Sequence, residues 1–386
     1  MSDSSHLAGK NDPATEHCTY CPKLCRHACP VAAADTREAL VTQQKMQALG
    51  ELRVGRRPWT EDAAAPVYGC TGCGLCTRYC SHEIPVAETL LTARRELQAH
   101  GAAAPVTHNF AQRFAARDRA LVSALRSRFA ATDFAPRGAQ GKVGFLPGCD
   151  SCASEDGLTD VERTLALFRA LGLDARLVDL DPAAGPLCGG MPLASLGDDV
   201  ALAELARRHA ASLASYEVVV MSCPGCVGLM RNRFAALGAP LSARIVHLTE
   251  FLAPHTERLA RQAGTEPGER VHYHDPCHLG RGLGVYEAPR KLLAAAGMET
   301  AEFAWSHADS QCSGGGGLLP ITMPETSRAM ARRRLGELES NPDNGAGPIR
   351  VVTACPTCKR SLGRAASGRT EVEDIASILA RALGVT

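Results

Sequence analysis

The chain has 386 residues, 45% hydrophobic and 22% charged, with a net charge of +1. That is enough for two or three compact units and gives no general electrostatic pull toward nucleic acid or an anionic membrane. Aromatic residues, at 4%, are too few for a base-stacking surface.

No apolar run reaches the roughly 18 residues of a spanning helix, and Met1 to Thr15 has no basic-then-apolar leader. Seventeen cysteines without a secretion signal point to a reducing compartment where thiolates bind metal. The expected location is the cytoplasm, with the inner face of a membrane reachable through a partner. Neither a nucleic-acid partner nor a transmembrane segment is expected.

In chain order, residues 1–17 read as a disordered tail. Residues 18–100 read as a helical domain carrying Cys18-x2-Cys21-x3-Cys25-x3-Cys29-Pro30 and Cys70-x2-Cys73-x2-Cys76-x3-Cys80. Two tight thiolate quartets, the first closed by Cys-Pro, are the ligand pattern of a ferredoxin-like pair of [4Fe–4S] clusters. The first run has one extra residue between its second and third cysteines, and the second ends in Cys80-Ser81. A zinc site would use two separated Cys-x2-Cys pairs, and structural disulfides do not suit this compartment.

In two-cluster ferredoxins the fourth cysteine of each run ligates the other cluster. Applied here, Cys18, Cys21, Cys25 and Cys80 form one site, and Cys70, Cys73, Cys76 and Cys29 the other. Helices are expected over Thr36 to Leu49 and over Pro85 to Gln98, the latter with proline in its first turn. Arg53 to Tyr68 reads as an irregular connection. Residues 101–141 comprise a helix, Phe110 to Phe129, with near-3.6 apolar periodicity, and a linker from Ala130 to Gly141.

The remainder repeats itself at a period of about 128 residues, giving units 142–268 and 269–386. Each begins with a strand that runs into cysteine, Val143 to Leu146 before Cys149 and Val271 to His274 before Cys277. Helices follow at Leu158 to Leu171 and Tyr286 to Ala296, then strands at Ala175 to Leu180 and Thr300 to Phe303. A cysteine–glycine loop comes next, at Cys188-Gly189-Gly190 and Cys312-Ser313-Gly314. Each unit then has a helix, an apolar strand (Val218 to Met221, Val351 to Thr353) and Cys-Pro-x-Cys, giving Cys223/Cys226 and Cys355/Cys358.

Alternating strands and helices imply a pseudo-twofold pair of α/β parallel-sheet units, α+β overall with the helical head. Cysteines at the carboxyl ends of parallel strands lie where such sheets bind ligands. Cys149, Cys188, Cys223 and Cys226, and Cys277, Cys312, Cys355 and Cys358, are two further soft-ligand quartets. The plainer reading is buried cysteines lining a fold relic. The adjacent glycines suit close backbone approach, and Gly314 to Gly317 offers N–H groups to sulfides. It lacks the Lys-Ser/Thr of a phosphate loop.

On these motifs the chain resembles the cysteine-rich, CCG-domain family of iron–sulfur proteins, over nearly everything from Cys18 to about residue 380. Its members include the iron–sulfur subunits of heterodisulfide reductase, glycolate oxidase and anaerobic glycerol-3-phosphate dehydrogenase, together with lactate-utilisation proteins. The family signature is Cys, Cys-Cys-Gly, Cys-x-x-Cys, twice over. In heterodisulfide reductases each five-cysteine set holds a noncubane [4Fe–4S] cluster that cleaves a disulfide.

Here both Cys-Cys-Gly motifs have lost one cysteine, replaced by Gly189 and Ser313. Four thiolates per unit remain, the complement of a cubane cluster, so one or two further Fe–S clusters are expected in the repeats. His274 and His278, flanking Cys277, are candidate ligands or hydrogen-bond donors to thiolate, against a structural role at a strand end. Cys152 is a spare or alternative ligand. Asp150 and Ser151 read as turn residues, and Arg332-Arg333-Arg334 as a solvated face, with a docking patch for an acidic partner as the alternative. Gly280-x-Gly282-x-Gly284 has neither the spacing nor the strand–turn–helix context of a dinucleotide fingerprint.

The resulting expectation is an electron-transfer subunit that links a flavoprotein dehydrogenase or membrane redox subunit to a quinone, soluble carrier or redox enzyme. The alternative is a catalytic heterodisulfide-type reductase acting at a repeat cluster. A third is a zinc- or cluster-bearing scaffold without redox function.

Overall fold

Val218-Val-Val-Met221 is apolar throughout, as suits a strand covered on both faces, and it lies at the centre of a parallel sheet. The computed structural model describes residues 12–23, 25–135, 142–181, 185–263 and 269–385. Among these, β1 (Val143–Leu146), β2 (Ala175–Leu177), β3 (Val218–Met221) and β4 (Arg244–His247) form one sheet in the order β2-β1-β3-β4. Strands β5 (Arg270–His274), β6 (Glu299–Glu302), β7 (Ile349–Thr353) and β8 (Thr370–Asp374) form the second, β6-β5-β7-β8. All pairings are parallel. The matching order is the expected internal repeat, and the fold is the α+β arrangement read from the sequence.

Strands β4 and β8 have no counterpart in the sequence reading. Both are edge strands, and Thr370-Glu-Val-Glu-Asp374 is mostly polar because one side of it faces out. The chain runs from β1 outward to β2 and returns to β3 on the other side of β1. The crevice between the carboxyl ends of β1 and β3 is therefore a topological switch point, and β5 with β7 forms its twin. Cys149 and Cys223 follow β1 and β3; Cys277 and Cys355 follow β5 and β7.

The expected tail lies outside the described residues up to position 11. From Pro13 the chain is helical, Pro13–Tyr20, with the Asp12 side chain accepting from the Ala14 N–H at 3.2 Å. The helix expected from Thr36 begins instead at Thr42 and runs to Arg53; residues 38–40 form a tighter 3₁₀ turn. The supposedly irregular 53–68 stretch contains a helix, Glu61–Tyr68, capped by Thr60 and tolerating Pro66 near its end. Thr60 followed by two acidic residues is an N-terminal signal. The helix Val86–Ala99 completes the head.

The helix Phe110–Phe129 is as expected, and it buries Phe114, Val122, Leu125 and Phe129 in the core of the first repeat. Of the expected linker after it, residues 136–141 lie outside the described residues. That core is continuous with the second repeat through Val271, Tyr273 and the helix Ile375–Ala382. The head keeps a core of its own, including Met46, Leu49, Val67, Leu90 and Leu97. No described helix is long and apolar enough to cross a membrane.

Candidate metal centre

The head thiols assemble in crossed sets. Cys18 lies close enough to Cys25, Cys80 and Cys21 for their charge, on top of burial, to push its pKa up to about 12. Cys76 is raised by burial and then by Cys73, Cys70, Cys29 and Cys25. The first grouping is the outer set, Cys18, Cys21, Cys25 and Cys80, beside a cavity of about 410 Å³ that His17, Tyr20 and His82 also line. The second is the inner set, Cys29, Cys70, Cys73 and Cys76. The extra residue before Cys25 does not keep it from its set.

In the first repeat, the Cys188 thiol is within hydrogen-bonding reach of Cys149 and Cys226, and Cys226 reaches Cys223. In the second repeat the thiols pair within the unit and also across its boundaries. Cys312 reaches Cys277 and, across the domain boundary, Cys73 of the inner head set. Cys355 reaches Cys358 and, across the repeat boundary, Cys223. Ser313 links the halves, its hydroxyl donating to the Cys358 Sγ at 3.3 Å.

The position of the missing first-repeat cysteine is closed. A Cβ at Gly189 would come within 2.6 Å of the Cys226 Cβ. The two losses are therefore not equivalent, since Ser313 still presents a buried oxygen where Gly189 presents none.

These thiols suit a soft metal centre. Burial and mutual repulsion disfavour ionising several of them together unless cations lie among them. Backbone N–H groups already point at sulfur, Gly72 to the Cys70 Sγ at 3.4 Å and Gly314 to the Cys312 Sγ at 3.3 Å. Gly316 and Gly317 do something else. At Gly317 φ is +62°, and a Cβ would meet the Cys70 carbonyl oxygen at 2.2 Å. These glycines let the second repeat lie directly on the head.

Several positioning residues are not legible as such in the sequence. Asp118 sits in the buried stripe of Phe110–Phe129, between Phe114 and Val122, and accepts from the N–H groups of Leu187 and Cys188 at 3.0 and 2.9 Å. An acid on an apolar helical face is the available signal. The His209 Nε2 lies 3.0 Å from the Cys188 carbonyl, and the His247 Nε2 lies 3.1 Å from that of Ser222, so both loops are held from behind. Burial lowers both imidazoles to about 4, which keeps them neutral.

Asp150 is more than a turn residue: it accepts from the Thr357 hydroxyl and pairs with Arg360 at 2.9 Å, joining the two repeats. Ser151 is the turn residue expected, donating to the Pro147 carbonyl.

His274 and His278 separate. His274 is engaged by the Arg334 side chain, its Nδ1 accepting from the Arg334 Nε at 3.4 Å and its pKa driven by burial to about 3. That is the structural role. His278 lies near Cys223 at the junction of the repeats. Arg334 is no solvated residue: it is 1% exposed, stacks on Phe303 and donates to the Trp305 carbonyl, while Arg332 and Arg333 are exposed. Cys152 is buried beside Cys149 and Asp118. Gly280 and Gly282 do follow a strand and a turn, but inside the helix Cys277–Leu283 and not at its entry, so no phosphate cradle forms.

Residues 14–84 match the family described as a 4Fe-4S dicluster domain, and residues 143–231 and 271–363 each match a cysteine-rich domain, CCG. One subunit of the fumarate reductase (CoM/CoB) of Methanothermobacter marburgensis is 27% identical over 92% of this chain and 70% of its own. One subunit of the dihydromethanophenazine:CoB–CoM heterodisulfide reductase of Methanosarcina barkeri is 29% identical over 84% and 80%. The "Probable membrane-anchored ferredoxin" of Chromohalobacter salexigens is 33% identical over 60% of this chain but only 35% of its own length.

Proposed function

We propose that this chain, which belongs to the cysteine-rich CCG-domain family of iron–sulfur oxidoreductases, is an electron-transfer subunit working between a flavoprotein or membrane redox partner and a quinone, soluble carrier or redox enzyme. The outer head set would hold one [4Fe–4S] cluster and the inner head set a second. One or two further clusters would be held by Cys149, Cys188, Cys223 and Cys226, and by Cys277, Cys312, Cys355 and Cys358. Bound clusters supply one-electron redox chemistry; the chain supplies spacing, burial and charge.

One observation carries this reading: a series of thiols, bridged at one step by a serine hydroxyl, runs from the head through the second repeat to the first. Cys25 neighbours Cys76, Cys73 reaches Cys312, Ser313 reaches Cys358, and Cys355 reaches Cys223. From Cys223 the series continues through Cys226 and Cys188 to Cys149. A protein that only needed a local metal for stability has no use for such a series.

The second reading, reduction of a disulfide at the repeat thiols, draws on His278, a buried imidazole beside Cys223. Anaerobic assay of the full chain with reduced viologen separates the two. We expect fast cluster reduction and no turnover of a heterodisulfide; sustained turnover would replace the carrier reading with the reductase one.

A further inference from the structure

Lys45, on the helix Thr42–Arg53, is 2% exposed, and its Nζ lies 3.5 Å from the Cys29 Sγ. Among the described residues it has no carboxylate partner. A buried ammonium left without a counter-charge costs several kcal/mol, so its position beside a set of thiols calls for an explanation. Its charge also acts on Cys70.

From the opposite side Arg281, carried by the second repeat, donates from Nε to the Cys73 carbonyl at 2.7 Å and from Nη1 to those of Ala308 and Ser310. Its guanidinium lies near Cys73, Cys277 and Cys312. With Arg94, whose Nη2 donates to the Cys70 carbonyl at 2.8 Å, the inner set has three cations about it. The outer set is different: around Cys18 the neighbouring charges are other thiols and Asp12, and its mouth opens to the surface between Tyr20, His17 and His82.

Fixed positive charge favours the site that has gained an electron, and burial in a low dielectric opposes it.

We propose that Lys45 is a potential-setting residue, the fixed counter-charge that touches a thiol of the Cys29/Cys70/Cys73/Cys76 site, helping to hold it at a higher reduction potential than the Cys18/Cys21/Cys25/Cys80 site. The inference rests on the electron-transfer reading and gives it a direction. With clusters bound, an electron taken from a reduced flavin of the partner, itself oxidised by one electron, would leave the outer site for the inner one and go on toward Cys312, with no bond made or broken.

The test is an EPR-monitored redox titration of the full, anaerobically reconstituted chain as wild type, Lys45→Met and Lys45→Arg. In wild type the higher of the two head potentials belongs to the signal lost in Cys29→Ser. Lys45→Met lowers that potential alone, by at least about a tenfold change in the reduction equilibrium, about 59 mV for one electron. Lys45→Arg restores most of it. If Lys45→Met fails to take up the wild-type iron complement, Lys45→Gln is read in the same titration.

A neutral variant with unmoved potentials, with all potentials moved equally, or with the Cys29-dependent signal as the lower of the pair overturns the role of Lys45. A wild-type chain without iron–sulfur signals overturns the electron-transfer reading itself.

Discussion

Arg94→Leu is expected to lower stability by at least about 3 kcal/mol and to loosen the head from both repeats. Arg94 is fully buried at the meeting point of three segments. Its Nη1 donates to the Ser195 carbonyl of the first repeat at 2.9 Å and to the Gly317 carbonyl of the second at 2.6 Å. Its Nη2 turns the other way, to the Val67, Tyr68 and Cys70 carbonyls of the head. Removing the fork leaves buried acceptors facing one another, and each unsatisfied buried group costs about 1–3 kcal/mol. Lysine at this position restores charge but not reach, because one ammonium cannot serve both directions. Urea unfolding of the iron-loaded chain should show a reduced midpoint for Arg94→Leu and partial recovery in Arg94→Lys. A change within about 0.5 kcal/mol would mean that the junction does not depend on this residue.

The second large effect concerns which cysteines act together. Cys29→Ser and Cys76→Ser should abolish the same EPR signal, and Cys80→Ser and Cys25→Ser the other, each with loss of about four irons per chain. The grouping draws on Cys80 among the neighbours of Cys18, on Cys29 among those of Cys76, and on Cys80 and Cys21 acting on Cys25 ahead of Cys29. If each run instead bound its own cluster, Cys29→Ser would remove the Cys25 signal. Crossed ligation also ties Cys18 to Cys80 across the head, so these variants should lower its thermal stability.

Much of this is legible in the sequence because the relevant signals are local. Cysteine spacing, the Cys-Pro step and the repeated strand-then-cysteine pattern pick out all sixteen candidate ligands without tertiary information, although Cys18, Cys76, Cys226, Cys277 and Cys358 lie within helices. What cannot be read depends on contacts across long separations. Asp150 looks like a turn residue until Arg360 and Thr357 meet it from the second repeat. The arginine run around Arg334 looks solvated until Phe303, Trp305 and Glu337 enclose its last member. That Gly316 and Gly317 make room for a contact with the head is equally hidden. The repeat quartets read as two self-contained sites, yet Cys223 touches Cys355, and Cys312 touches Cys73. Those pairings are set by how three units dock, which no spacing rule within one unit encodes.

The most direct test is the iron and acid-labile sulfide content of the full chain isolated without oxygen, with EPR to identify the carriers. Clusters in both the head and the repeats predict more than about eight irons per chain, with signals beyond the head pair. A content that settles at eight would confine the clusters to the head and contradict the continuous series of redox sites on which this account rests.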